Sequence, residues 1–113
     1  QKKSRMRAMQ RSMIRERMLQ EVPRATVVIT NPTHLSIAIK YEAGMRAPMV
    51  VAKGADNIAM KIREIAAEHN IPMVENKPLA QALYKSVEVE QEIPEEYYQA
   101  VAEILKVIFR KKQ

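Results

Sequence analysis

The tetrapeptide Asn31-Pro32-Thr33-His34 carries the most specific chemistry in this chain of 113 residues. In most Asn-X pairs the following backbone nitrogen can attack the asparagine side chain, but proline has no backbone N–H, so this route is closed to Asn31. The reverse attack stays open. The Asn31 side-chain nitrogen can reach the Asn31 carbonyl carbon and close a five-membered succinimide, which expels the proline nitrogen and cuts the main chain after Asn31.

This reaction needs help from geometry, because resonance makes an amide a poor nucleophile and a planar peptide bond a poor electrophile. Holding the reacting atoms in contact can remove ~7–11 kcal/mol of barrier, and strain in the Asn31-Pro32 peptide would add about 1–3 kcal/mol. Thr33 is a candidate to orient the Asn31 side chain through its N–H or hydroxyl. His34 is a candidate to accept or relay a proton, because histidine is the side chain that most often does so in proteins. The competing interpretation is an ordinary Asn-Pro turn that never breaks.

No other group of residues indicates a catalytic, cofactor or metal site. The two histidines, His34 and His69, lie far apart in the sequence, and His69 is better placed to cap a helix or to lie at the surface. The chain contains no cysteine, which excludes thiolate metal sites and disulfides. Lys53 and Gly54 stand between a strand and a helix, but the glycine spacing of a phosphate loop is missing, so a plain turn is expected there.

The elements around the tetrapeptide follow from hydrophobic periodicity and from the positions of proline and glycine. Strands are expected at residues 25–30, 35–41, 49–52 and 71–75, which places the tetrapeptide in a turn between the first two. Helices are expected from the cap Asp56 to about residue 69, from Pro78 to Tyr84, and from Pro94 onward. The sequence therefore predicts a small single α/β domain, with an approximately four-stranded mixed sheet flanked by three or four helices and preceded by a basic amino-terminal connector helix.

The net charge of +6 belongs entirely to the amino-terminal arm. Residues 1–24 carry eight basic and two acidic side chains, a net of +6, whereas residues 25–113 carry eleven of each. The arm is predicted to be helical over residues 4–20, with a narrow apolar stripe. It is either a solvated helix or a connector whose arginines face anionic lipid headgroups. No segment approaches the ~18 consecutive apolar residues of a membrane span.

The segment TNPTHLSIAIKYE resembles the cleavage segment of the FlhB/YscU family, the switch proteins of the type III export gate. The similarity continues through APMVVAKGADNIAMKIREIAAEHNIPMVENKPLAQALYK and covers about residues 24–110, and the arm resembles the family's connector from the membrane domain. KPLAQALY is more similar to the flagellar branch than to the injectisome branch, although many flagellar relatives have arginine at the position of Gln81.

The resemblance implies a connector at residues 1–23, which would follow a missing membrane domain, and a self-cleaving cytoplasmic α/β domain at residues 24–113. It implies cleavage between Asn31 and Pro32 in a single turnover, with Thr33 and His34 in supporting roles and without a cofactor. The protein would lie at the cytoplasmic face of the bacterial inner membrane and switch export from rod and hook substrates to filament substrates. The implied partners are other export-gate proteins, secreted rod- or hook-type substrates, a hook-length control protein and the anionic membrane surface.

Two other function classes stay open from the residues alone. A nucleic-acid module would use the basic arm, but the neutral body argues against it, and the tyrosines are expected to pack rather than stack on bases. A small metabolic enzyme is disfavoured because no cluster of ionisable residues is evident. An injectisome-type switch protein is the alternative within the family.

Overall fold

The computed structural model describes residues 2–111 and contains four α-helices and four strands there. Short 3₁₀ turns at Val22–Arg24 and Glu95–Tyr97 lead into β1 and α4. In chain order the elements are α1 (Lys2–Gln20), β1 (Val27–Asn31), β2 (Leu35–Lys40), β3 (Met49–Ala55), α2 (Asn57–Glu68), β4 (Met73–Glu75), α3 (Lys77–Ser86) and α4 (Tyr98–Lys111).

The four strands form one mixed sheet in the order β3-β2-β1-β4. β1 lies inside the sheet, antiparallel to β2 and parallel to β4. β2 and β3 are also antiparallel. β1, β3 and β4 therefore all end at the same edge of the sheet, which is also the edge where the β1–β2 turn lies. The predicted fold class is confirmed.

Each face of the sheet has its own core, as the alternation of side chains along a strand requires. Val27, Ile29 and Ile37 lie on the face covered by α3 and α4. Val28, Ala38 and Ala52 lie on the face covered by α2. Burial stabilises the fold by roughly 1.5–3 kcal/mol for each large apolar side chain. Tyr41, Tyr84 and Tyr97 pack against the first core, as predicted.

Several boundaries differ from those predicted. β1 begins at Val27 and includes Asn31, because Asn31 pairs with Leu35. β3 continues to Ala55, so Lys53 and Gly54 are strand residues rather than a turn. Gly54 is required in this strand, because a Cβ there would collide with the Ile58 side chain.

The helix ends also show differences. Asp56 occupies the N-cap position of α2, but its side chain makes no capping hydrogen bond, so the predicted cap was wrong in its chemistry. The segment after Pro94 begins as a 3₁₀ turn, and α4 itself starts at Tyr98. Asn76 caps α3 by accepting a hydrogen bond from Leu79 N–H at 3.2 Å.

The arm forms the helix α1, which contacts the body at its carboxyl-terminal end. Met18 and Leu19 pack against the core on the α2 face. The apolar residues nearer the start are exposed, with Met6, Met9, Met13 and Ile14 each more than half accessible. Within residues 2–111, no helix has both the length and the apolar character needed to cross a bilayer.

Candidate functional site

The tetrapeptide forms a tight turn closed by one backbone hydrogen bond. His34 N–H donates to the Asn31 carbonyl oxygen at 2.9 Å. Pro32 is the second residue of this turn, and Thr33, the third, has a φ of 69°. Proline at the second position and a positive φ at the third are the features of a type II turn.

Thr33 holds a backbone conformation that its side chain disfavours. A positive φ is common for glycine and tolerated by asparagine, but it is an outlier for a β-branched residue. The cost is about 1–3 kcal/mol, and the flanking strand pairs must overcome it. This strain lies at Thr33, in the same turn as Asn31 and Pro32. Strain in the Asn31-Pro32 peptide itself stays a prediction.

The Asn31 side chain lies inside the protein, and no donor makes a hydrogen bond to its amide oxygen. Asn31 is only 6% exposed, and its buried Oδ1 has no hydrogen-bond partner. Neither the N–H nor the hydroxyl of Thr33 therefore bonds to this oxygen. An amide oxygen that accepts a hydrogen bond draws the nitrogen lone pair into the C=O group, whereas a donor-free setting leaves that lone pair more available to attack.

His34 contributes its backbone to the turn, while its imidazole faces solvent. The side chain is 70% exposed, and Nδ1 lies 3.9 Å from Asp56 Oδ1, beyond hydrogen-bonding distance. The His34 carbonyl accepts a hydrogen bond from Asp56 N–H at 2.9 Å. His34 is thus held at both its N–H and its C=O.

A second backbone contact fixes the chain on the other side of Asn31. Asn76 N–H donates to the Thr30 carbonyl at 2.9 Å, which continues the parallel pairing of β1 with β4. Asp56 and Asn76 occupy the N-cap positions of α2 and α3, so two helices begin beside the turn. The sequence interpretation missed these two residues as neighbours of the site. They could have been found from the topology, because antiparallel pairing of β2 and β3 places the end of β3 beside the start of β2.

The structure brings Asn31, Pro32, Thr33 and His34 together in one turn and separates them from His69. His69 ends α2 as its C-cap residue. In the described part of the chain, no group of three or more His, Asp or Glu side chains is placed to hold a metal ion. What the turn offers is intramolecular chemistry: a buried amide beside its own carbonyl, with an N–H already on that carbonyl oxygen.

Comparison with known proteins gives a consistent result. Residues 1–108 match the FlhB HrpN YscU SpaS family. The flagellar biosynthetic protein FlhB of Bacillus subtilis is 55% identical over 98% of this chain and 31% of its own length. The chain therefore spans about a third of that relative.

Solved structures of two cytoplasmic or carboxy-terminal domains have the same fold. The cytoplasmic domain of FlhB from Shewanella putrefaciens is 44% identical, with a TM-score of 0.83 over 88% of this chain and 77% of its own. A mutated EscU C-terminal domain is 32% identical, with a TM-score of 0.78 over 80% of this chain and 92% of its own.

Proposed function

This chain belongs to the FlhB HrpN YscU SpaS family, and from that membership and the geometry of the turn we propose that it cuts itself once between Asn31 and Pro32. The observation that carries the proposal is the His34 N–H, which lies 2.9 Å from the Asn31 carbonyl oxygen. A donor at 2.7–3.1 Å stabilises the negative charge that develops on a carbonyl oxygen under attack. The amide that would attack belongs to the same residue.

The cut is an intramolecular acyl transfer. Asn31 Nδ2 forms a bond to the Asn31 carbonyl carbon, and the carbonyl oxygen takes up negative charge against His34 N–H. The bond from that carbon to the Pro32 nitrogen then breaks, and a proton from the attacking amide ends on the proline nitrogen. The products are a chain ending in a succinimide at residue 31 and a chain starting at Pro32.

Backbone strain at Thr33 and the burial of Asn31 both lower the activation barrier to the cut. The positive φ of Thr33 is relieved when the turn opens, because Thr33 is then the second residue of a chain with a free amino end. The buried position of Asn31 strengthens the contact between His34 N–H and the oxyanion. Pro32 keeps the backbone nitrogen from the competing deamidation.

The two products stay together because β1 lies inside the sheet. After the cut, β1 remains paired with β2 on one side and β4 on the other. Val27, Val28 and Ile29 are each 0% exposed. Burial of these three side chains contributes roughly 1.5–3 kcal/mol each to holding the amino-terminal piece. The cut therefore changes the turn without dissolving the domain.

The wider role we propose is that of a switch in flagellar protein export. The domain would lie at the cytoplasmic face of the inner membrane, with residues 1–23 as connector, and its cleavage would change export from rod and hook substrates to filament substrates. Its partners would be other export-gate proteins, those substrates and a hook-length control protein. The identity of 55% with a relative that is named a flagellar biosynthetic protein favours the flagellar role over the injectisome role.

Fragment masses test the proposed cleavage. Purified unmodified protein is expected to give two masses by denaturing mass spectrometry, divided between Asn31 and Pro32. The same sample is expected to elute as one particle in native size-exclusion chromatography. A chain that keeps its full mass through prolonged incubation at neutral pH would contradict the proposal, and a cut at any other bond would contradict the role of Asn31.

Deletion of the arm tests the membrane contact. The exposed methionines and the net charge of +6 in residues 1–24 give α1 both an apolar and a cationic contribution to binding. Each basic residue near an anionic surface contributes about 1 kcal/mol, and salt screens it. The chain is expected to co-sediment with vesicles containing phosphatidylserine at low salt, to bind less at high salt, and to lose binding when residues 1–20 are removed. Unchanged binding after this deletion would contradict a role for the arm.

A further inference from the structure

Two of the strained backbone positions in the protein adjoin the same residue, His34. Among residues 2–111, four non-glycine residues have positive φ: Thr33, Asp56, Asn70 and Glu90. Thr33 directly precedes His34, and Asp56 donates its N–H to the His34 carbonyl at 2.9 Å. Strain of this kind persists only where the surrounding structure enforces it, and its clustering indicates a function.

Asp56 has the backbone geometry of a glycine-type turn position. Its φ of 52° and ψ of −112° are those of the first central residue of a type II′ turn, which glycine, asparagine and aspartate dominate. This conformation turns the chain from β3 into α2 immediately after Ala55, which still pairs with Leu35 in β2. The Asp56 N–H continues the β2–β3 pairing by one residue, because it donates to the His34 carbonyl oxygen.

The Asp56 carboxylate does less than the Asp56 backbone. It is 81% exposed, makes no helix-capping hydrogen bond and lies 3.9 Å from the His34 imidazole. A pair so exposed and so long contributes little. Its negative charge also opposes an oxyanion on the nearby turn.

We propose that Asp56 is a positioning residue for the cut at Asn31, acting through its backbone N–H and its left-handed conformation. His34 is held by its C=O on Asp56 and presents its N–H to the Asn31 carbonyl oxygen. Because both groups belong to one residue, a shift of the His34 carbonyl tilts the N–H that would stabilise the oxyanion. The proposal rests on the proposed cleavage and adds to it the element that fixes the donor.

Three variants distinguish the effect of the Asp56 backbone on the cutting rate from the effect of its carboxylate: Asp56→Ala, Asp56→Gly and Asp56→Asn. All three remove the charge, but only glycine and asparagine readily adopt the left-handed conformation. In a pulse-chase of chain synthesised in vitro, Asp56→Ala is expected to cut about fivefold to thirtyfold more slowly than the parent. Asp56→Gly and Asp56→Asn are expected to cut at least as fast as the parent, which is rescue at constant loss of charge.

Asn70 supplies the matched control. It has a φ of 57° and follows the end of α2 that lies away from the turn. Asn70→Ala, like Asp56→Ala, replaces a residue that tolerates positive φ by one that does not, and it should leave the cutting rate unchanged. Thermal unfolding of each variant is measured in an Asn31→Ala background, so that cutting does not complicate the comparison of stability.

The outcomes are distinct. An Asp56→Ala chain that folds and cuts at the parental rate overturns the proposal, and so does equal slowing of all three variants, which would assign the effect to the carboxylate. If Asp56→Ala fails to fold, the glycine and asparagine variants decide: parental or faster cutting supports the backbone role, and slowing overturns it. A parent chain that never cuts overturns the cleavage itself, which is a different result.

Discussion

Replacing Asn31 by alanine is expected to leave the chain in one piece. The variant removes the only nitrogen that can close a five-membered ring on the Asn31 carbonyl, while the turn and its His34 N–H contact stay in place. An oriented intramolecular attack is worth about 7–11 kcal/mol of barrier, a factor of roughly 10⁵–10⁸ in rate. No cutting of Asn31→Ala should therefore be detectable over days in which the parent is fully cut. The measurement is the intact mass of both proteins after parallel incubation.

Asn31→Gln tests whether the position of the amide nitrogen matters, because it keeps the amide group. Glutamine keeps the amide, but its extra methylene moves the nitrogen by more than 1 Å and makes the ring six-membered. A displacement of this size can cost about a hundredfold in rate, so Asn31→Gln is expected to cut very slowly or not at all. The equal failure of both variants would show that position, and not merely the presence of an amide, controls the reaction.

Cutting of Asn31→Ala at the same bond as the parent would rule out the cyclisation chemistry and would indicate an external protease. Folding is checked by circular dichroism and thermal unfolding. The Asn31 Oδ1 is buried without a partner, so its removal takes away an unsatisfied group that costs about 1–3 kcal/mol. Asn31→Ala is therefore expected to unfold at a temperature equal to or above that of the uncut parent, and a much lower temperature would contradict the absence of a hydrogen-bond partner for Oδ1.

The sequence was sufficient to predict the turn and its neighbours along the chain. The alternation Leu35, Ile37, Ile39 placed β2 correctly, and the β-branched run before Asn31 placed β1, so the hairpin and the mixed sheet followed. The same reasoning predicts that the two pieces would stay in one sheet after the proposed cut. These features depend on local periodicity and on short-range pairing, which a sequence displays directly.

The conformational part of the site was not predictable in this way. The sequence does not indicate that Thr33 adopts a positive φ. The flanking strand pairs impose that value against the preference of the threonine side chain. Asp56 was interpreted as a helix cap because aspartate before a helix usually is one. Its contact with His34 arises from the return of β3 along β2, a tertiary relation that overrides the local preference. The unpartnered Asn31 Oδ1 likewise results from three-dimensional packing alone.

Ile29→Ala is expected to let the amino-terminal piece leave the cut molecule. Ile29 is fully buried in β1, on the face packed by α3 and α4. Truncating a buried isoleucine to alanine costs about 2–5 kcal/mol. In the uncut chain this cost lowers the stability of one molecule. In the cut chain the same free-energy cost weakens the association of the two pieces, so their dissociation constant should rise by roughly thirtyfold to several thousandfold.

The measurement is the urea concentration at which the piece ending at residue 31 separates from the remainder, followed by size-exclusion chromatography. Met73→Ala in β4 is the control, because Met73 is 45% exposed and lies opposite Val28 in the parallel pairing of β1 with β4. It should release the piece at nearly the parental concentration. If Ile29→Ala is too unstable to fold and cut, Ile29→Val, with an expected cost of about 0.5–1.5 kcal/mol, tests the same contact at smaller amplitude.

If the piece of Ile29→Ala separates only at the parental urea concentration, the sheet is not what holds it. The attachment would then be assigned to α1 and its contacts with α2. The expected release has a consequence for the proposed switch. A cut that left β1 loosely held would dissolve the domain and with it any surface on which partners depend. Because β1 is paired on both sides and buried on both faces, the cut can free the chain at Pro32, Thr33 and His34 while the rest of the fold stays in place.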